Sequence, residues 1–124
     1  MRTTLTAALL LFTATPALAE ADWVQVNKID DGTQTSYIDK SSIRITGPIR
    51  RYWQRLDFVN DRDGWKQSVA LYESNCTTDQ RRILQLTVYM VDGTNDTTTV
   101  KDQLWHYVIP DTVAADLHNY VCKQ

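Results

Sequence analysis

The residues able to do chemistry are few. Cys76 and Cys122 are the only cysteines, and His106 and His118 the only histidines. A structural zinc site gathers four such ligands at close spacings like C-x2-4-C or H-x3-5-H, and neither pair is so arranged. A Cys–His nucleophile needs a free thiol, which pairing of the two cysteines would remove. The acidic stretch Asp57, Asp61, Asp63, Gly64 has the outline of a calcium loop. However, Val59 stands where a ligand is required and the closing glutamate is missing, so it reads as a solvated hairpin connection. The sequence therefore gives no basis for a catalytic residue, a metal ligand or a cofactor. What remains is Arg51, Trp53 and Arg55, spaced by two within IRRYWQRLDFV (49–59). In a strand that spacing puts all three on one face. Arginine and tryptophan dominate the energetic centres of protein interfaces, so an exposed row of this kind is a candidate protein-binding surface. The plainer reading covers Trp53 with a neighbouring strand or helix and lets the arginines carry their charges out to water.

The N-terminus sets the compartment. Arg2 precedes a short apolar run, Ala7 to Phe12, and Ala17-Leu18-Ala19 has the small-x-small pattern of a signal-peptidase site. The run is shorter than the ~20 residues that span a bilayer. Residues 1–19 are expected to be a signal peptide and 20–124 a single exported domain, periplasmic or secreted. No cysteine stands at the cleavage point to carry a lipid anchor. Without Arg2 the chain holds 12 basic and 15 acidic residues, a formal charge of −3. General nucleic-acid binders are strongly basic, and that class is excluded. Export places Cys76 and Cys122 in an oxidising compartment, where two thiols usually pair. The alternative is a reactive or metal-binding cysteine. A bridge would pin the tail of the chain to its middle and contribute about 4 kcal/mol on the loop-entropy model.

The elements that must position these groups are mostly strands. Alternation appears in DWVQVNKI (22–29), with Trp23, Gln25 and Asn27 on one side and Val24 and Val26 on the other. TSYIDKSSI (35–43), a short strand followed by a polar bend, with IRRYWQRLDFV (49–59), WKQSVALYESNC (65–76), RRILQLTVYMV (81–91) and QLWHYVI (103–109), completes six strands. DDGT (30–33), TGP (46–48) and NDRDG (60–64) read as turns and DGTNDTT (92–98) as a loop. In the fifth strand Leu84, Leu86, Val88 and Met90 are expected on one face, and Arg81 and Arg82 read as a charged strand edge that blocks further pairing. After Pro110 the period changes. Asp111 or Thr112 can cap a helix, and Val113, Leu117, Tyr120 and Val121 form one apolar stripe. Strands grouped before a helix give an α+β fold: an antiparallel sheet of about six strands with one C-terminal helix packed against it.

Three fragments in this order, YID..SI at 37–43, SV.LY.S.C at 68–76, and IPDT with the later VC across 109–122, resemble the surface-adhesin protein E family of exported bacterial proteins. The resemblance runs through nearly the whole of residues 20–124. It implies the same antiparallel sheet and C-terminal helix, and a disulfide between Cys76 and Cys122. It also implies adhesin-like binding of host or surface proteins, and association as a homodimer. The chain departs from the pattern in lacking a lipobox cysteine and in the near-neutral NDRDGWKQ (60–67), where the adhesin is basic. The expected function is a non-catalytic binding module of the cell envelope. A periplasmic inhibitor of a hydrolase, such as a cell-wall lytic enzyme, is the alternative, and a small enzyme comes last.

Overall fold

The computed structural model describes residues 20–124; the expected signal peptide, residues 1–19, lies outside them. Eight strands form one antiparallel sheet: β1 (Trp23–Lys28), β2 (Gln34–Asp39), β3 (Arg44–Thr46), β4 (Ile49–Phe58), β5 (Trp65–Asn75), β6 (Gln80–Met90), β7 (Asn95–Thr99) and β8 (His106–Tyr107). One helix, α1 (Val113–Cys122), closes the chain. The main path runs β1-β2-β4-β5-β6-β7, with short β3 beside the start of β4 and β8 beside the start of β6. The α+β architecture with a six-strand path and one C-terminal helix is as the sequence indicates.

The hairpin turns are written in the sequence. Asp31-Gly32-Thr33 and Asp92-Gly93-Thr94 join β1 to β2 and β6 to β7 by the same device. The aspartate Oδ1 accepts from the threonine N–H at 2.9 Å and from its hydroxyl at 2.6 Å in both turns. The intervening glycines have φ of +72° and +89°, a region that costs glycine nothing and most residues strain. In the β4–β5 connection Asp61 Oδ2 accepts from the N–H groups of Asp63 and Trp65, so its carboxylate is spent on the turn.

Ten residues are too few to hold a helix in water unaided, so packing must hold α1. Thr112 caps it, its hydroxyl accepting from the Ala115 N–H at 3.1 Å. Leu117 and Val121 are fully buried with Ile38 of β2 and Tyr52 of β4, and Val113, Tyr120, Val26 and Leu56 pack around them. Each such apolar side chain contributes about 1.5–3 kcal/mol. The last helical residue, Cys122, is bonded to Cys76 just past β5, with Cα atoms 5.6 Å apart. The bridge closes over 46 residues and fastens the helix to the sheet.

Several expectations shift in detail. Asn27 does not share a face with Trp23 and Gln25. The β1–β2 register slips between Gln25 and Asn27, which turns Asn27 to the helix side, where its amide donates to Asp116. The loop expected at 92–98 contains strand β7, paired to Gln85–Tyr89. All its residues are exposed, so it has no buried alternation to reveal it. The strand expected at 103–109 shrinks to His106–Tyr107. Finally, β6 is not an edge. It pairs β5 on one side and β7 and β8 on the other. Leu71 faces Gln85 and Tyr72 faces Ile83, so Leu84 is an extra residue, a β-bulge that breaks the expected 84-86-88-90 face. The bulge reverses the side-chain sense of the strand's start. Arg81, opposite Ser74, points to the helix side, and Arg82, opposite Glu73, points to the other.

Candidate functional site

Alternation along β4 divides its side chains between two faces. Tyr52 and Gln54 are buried on the side covered by α1. Arg51, Trp53 and Arg55 therefore stand together on the opposite face, away from α1. Of the two covers in the plainer reading, α1 does not lie over Trp53, while the neighbouring strands cover it in part. Trp53 is half-buried by its cross-strand neighbours, with Leu71 directly opposite on β5.

Each arginine in the row is held. The Arg55 guanidinium carbon sits 4.1 Å from the Tyr37 ring centroid and 5.1 Å from that of Trp23. Its Nη2 donates to Asp57 Oδ2 at 3.3 Å, while its Nε lies 3.1 Å from Oδ1 as an ion contact without hydrogen-bond alignment. Arg51, with 54 % of its side chain exposed, reaches Glu73 Oε2 at 3.4 Å. Glu73 is only 9 % exposed, and its other oxygen accepts from Arg82 Nε at 2.8 Å. Arg82 in turn lies 4.5 Å below the Trp105 ring. Across β1, β2, β4, β5 and β6 the open face thus reads Trp23–Tyr37–Arg55, then Trp53–Leu71, then Arg51–Glu73–Arg82–Trp105. It is a surface of planar aromatic and guanidinium groups, each pre-positioned by a neighbour. Side chains already ordered lose less entropy on binding.

The model of the family described as surface-adhesin protein E matches residues 23–123. The chain belongs to the surface-adhesin protein E family. Solved structures of Haemophilus influenzae protein E have the same fold at low identity. One matches with a TM-score of 0.56 at 15 % identity, over 89 % of this chain and 92 % of that one. A second crystal form gives 0.55 at 15 % over 80 % and 87 %, and protein E from a non-typeable strain 0.52 at 15 % over 87 % and 80 %. No curated protein sequence matches. The disulfide and sheet that the family resemblance implied are both present.

In this member of the adhesin E family the histidines line separate recesses. His118 is buried on α1, its Nε2 3.1 Å from Asp79 Oδ1 and 3.7 Å from Cys122 Sγ. His106 is exposed on β8. Among the described residues no three His, Cys, Asp or Glu side chains converge as a metal site would require, and no described helix is long and apolar enough to cross a membrane.

Sequence reading found the β4 row and missed its partners. Trp23, Tyr37, Leu71 and Glu73 reach the same face only through strand register, Arg82 only through the bulge at Leu84, and Trp105 from the segment before β8. The available signal was the aromatic content of the predicted strands. Pairing them needed the register.

Proposed function

We propose that this domain is a non-catalytic, exported binding module of the cell envelope that holds a protein partner, adhesin-like, on the open face of its sheet. Trp53 is the centre of the contact and Arg51 and Arg55 flank it. The observation that carries the reading is the placement of these three on the one broad face that α1 leaves bare, each arginine fixed by an aromatic or acidic neighbour. Membership of a surface-adhesin family supports it, and a disulfide closing the fold suits an oxidising, extracytoplasmic site. Anchors of this type contribute 2 kcal/mol or more each at about the centre of an interface.

The test is saturable binding of the purified domain to immobilised extracellular-matrix and envelope protein extracts, compared with the Arg51→Ala/Trp53→Ala/Arg55→Ala variant. Loss of binding in a variant that keeps its β-sheet circular dichroism supports the assignment. Equal binding by the variant removes this face from the function. Sedimentation of the same samples decides whether the dimer implied by the resemblance forms.

A further inference from the structure

The opposite face carries a second, chemically distinct feature. Beside the start of α1, the end of β5, the start of β6 and the segment around β8 form a cleft of about 310 Å³. That is near the lower limit, about 300 Å³, of sites that hold small molecules. Its walls are largely apolar, with Tyr72, Ile83, Val108, Ile109 and Ala114 among them, and Arg82 and His106 also border it.

The polar group at its base is Arg81, 8 % exposed. Its Nε donates to the Tyr52 hydroxyl at 3.1 Å, freeing that hydroxyl to donate to Ser74 Oγ at 2.8 Å, and its Nη2 donates to Gln54 Oε1. The guanidinium carbon lies 4.1 Å from the Tyr72 ring centroid. These partners orient the cation but none carries a negative charge. Among the described residues no carboxylate pairs with Arg81. Its neighbour Arg82 has Glu73, on the other face. Among the described residues the Arg81 Nη1 makes no hydrogen bond and is not fully buried, and Arg81 is one of the residues that line the cleft. A buried cation is costly unless an anion neutralises it. A second positive influence points the same way, because Thr112 and Ala114 at the start of α1 also line the cleft, and a helix start attracts anions.

We propose that this cleft binds a small amphipathic monocarboxylate of the medium-chain fatty-acid class. The carboxylate accepts from Arg81 Nη1, and the aliphatic body lies against Tyr72, Ile83 and Ile109. A single unpaired guanidinium matches a monoanion, and the apolar walls reject a compact, fully hydrated one. The cleft lies on the α1 side of the sheet, and only Arg82, which reaches Glu73 on the Trp53 face, borders both.

The experiment titrates octanoate, with 1-octanol as the neutral control, into the intact domain, followed by amide chemical shifts and calorimetry. Octanoate is expected to shift Ile83, Ala114 and their neighbours saturably and octanol to bind at least tenfold more weakly, since hydrogen bonds to charged groups contribute about 1.5–3 kcal/mol. Arg81→Gln should weaken octanoate binding by roughly tenfold or more. Ala114→Phe, which fills the cleft and leaves Arg81 and its partners in place, should abolish it. Lys28→Gln, exposed on β1 at the far edge of the sheet, should leave it unchanged. Octanol binding as well as octanoate, shifts located away from the cleft, no saturable shift at millimolar octanoate, or full binding by Ala114→Phe would each overturn the proposal. The Ala114 variant decides the matter should Arg81→Gln fail to fold.

Discussion

Arg55 and Tyr37 stand directly opposite each other on β4 and β2, the guanidinium carbon 4.1 Å from the ring centroid. The contact fixes a side chain beside Trp53 that would otherwise sample many rotamers in water. It also makes Arg55 unlike Arg51, which is held by Glu73 alone and is 54 % exposed at its side chain. A double-mutant cycle with Arg55→Ala and Tyr37→Leu, measured by urea unfolding, should return a coupling of about 0.5–1 kcal/mol, the range for a cation over an accessible aromatic ring. Arg51→Ala paired with Tyr37→Leu should return no coupling. A zero coupling for the first pair would mean that Arg55 is held by Asp57 and Trp23 without Tyr37.

The bond from Cys76 to Cys122 should dominate the stability of the tail. Its loop of 46 residues is valued at about 4 kcal/mol in the chain-entropy model. The double Cys76→Ala/Cys122→Ala variant is expected to lose about 2–4 kcal/mol in urea unfolding. Amide exchange should quicken first across residues 113–122, because α1 then keeps its side-chain packing and polar contacts but loses its covalent tie to the sheet. Leu117→Ala in the oxidised protein should cost about 2–5 kcal/mol, since that side chain is fully buried. Uniform exchange throughout the reduced domain would show instead that helix and sheet unfold together.

Wherever one face of a strand was buried, the sequence announced it. Tyr52 and Gln54 alternate with Arg51, Trp53 and Arg55, and the stripe Val113–Leu117–Tyr120–Val121 correctly marked the buried side of α1. Legibility failed where a side chain had no burial to report. Asn95–Thr99 forms a strand with both faces wet, so its threonines and aspartate resemble a loop. It failed again at Leu84. One inserted residue exchanges the faces of everything before it, and nothing local in RRILQL distinguishes a bulge from regular alternation. The consequence is functional, because that residue sends Arg81 into the cleft by the helix and Arg82 to the open face. A charged pair that looked like edge protection is thereby split between two sites.

The two Asp-Gly-Thr turns should respond to acid together. Hydrogen bonds from the threonine hydroxyl first, and from the threonine N–H second, hold the Asp31 and Asp92 carboxyls below the ordinary aspartate value. A carboxyl depressed in the folded state stabilises it fully above the unfolded value, about 3.9, and that contribution is lost as pH falls through the folded value. Carboxyl-carbon titration by NMR should place both midpoints below those of unfolded peptides. Unfolding midpoints should fall with acid below pH about 4 and fall less in the Asp31→Asn/Asp92→Asn variant. Midpoints at or above the peptide values would mean that the turns do not hold their aspartates in solution.

Glu73 should matter more than either arginine it serves. It is 9 % exposed at its side chain, and it joins Arg51 of β4 to Arg82 of β6 across the middle strand. Removing one arginine leaves the carboxylate its other partner. Removing the carboxylate leaves two cations side by side, and breaking a largely buried ion pair from one end is costly because the remaining charge is unpaired. Glu73→Gln is therefore expected to cost about 2 kcal/mol or more in urea unfolding. Arg51→Gln should cost under about 1 kcal/mol, because its charge is mostly in solvent. Added salt should narrow the gap only slightly, since screening acts weakly on buried groups. Equal costs for Glu73→Gln and Arg51→Gln would show that the pair with Arg82 carries no stability, and that Arg82 is held by Trp105.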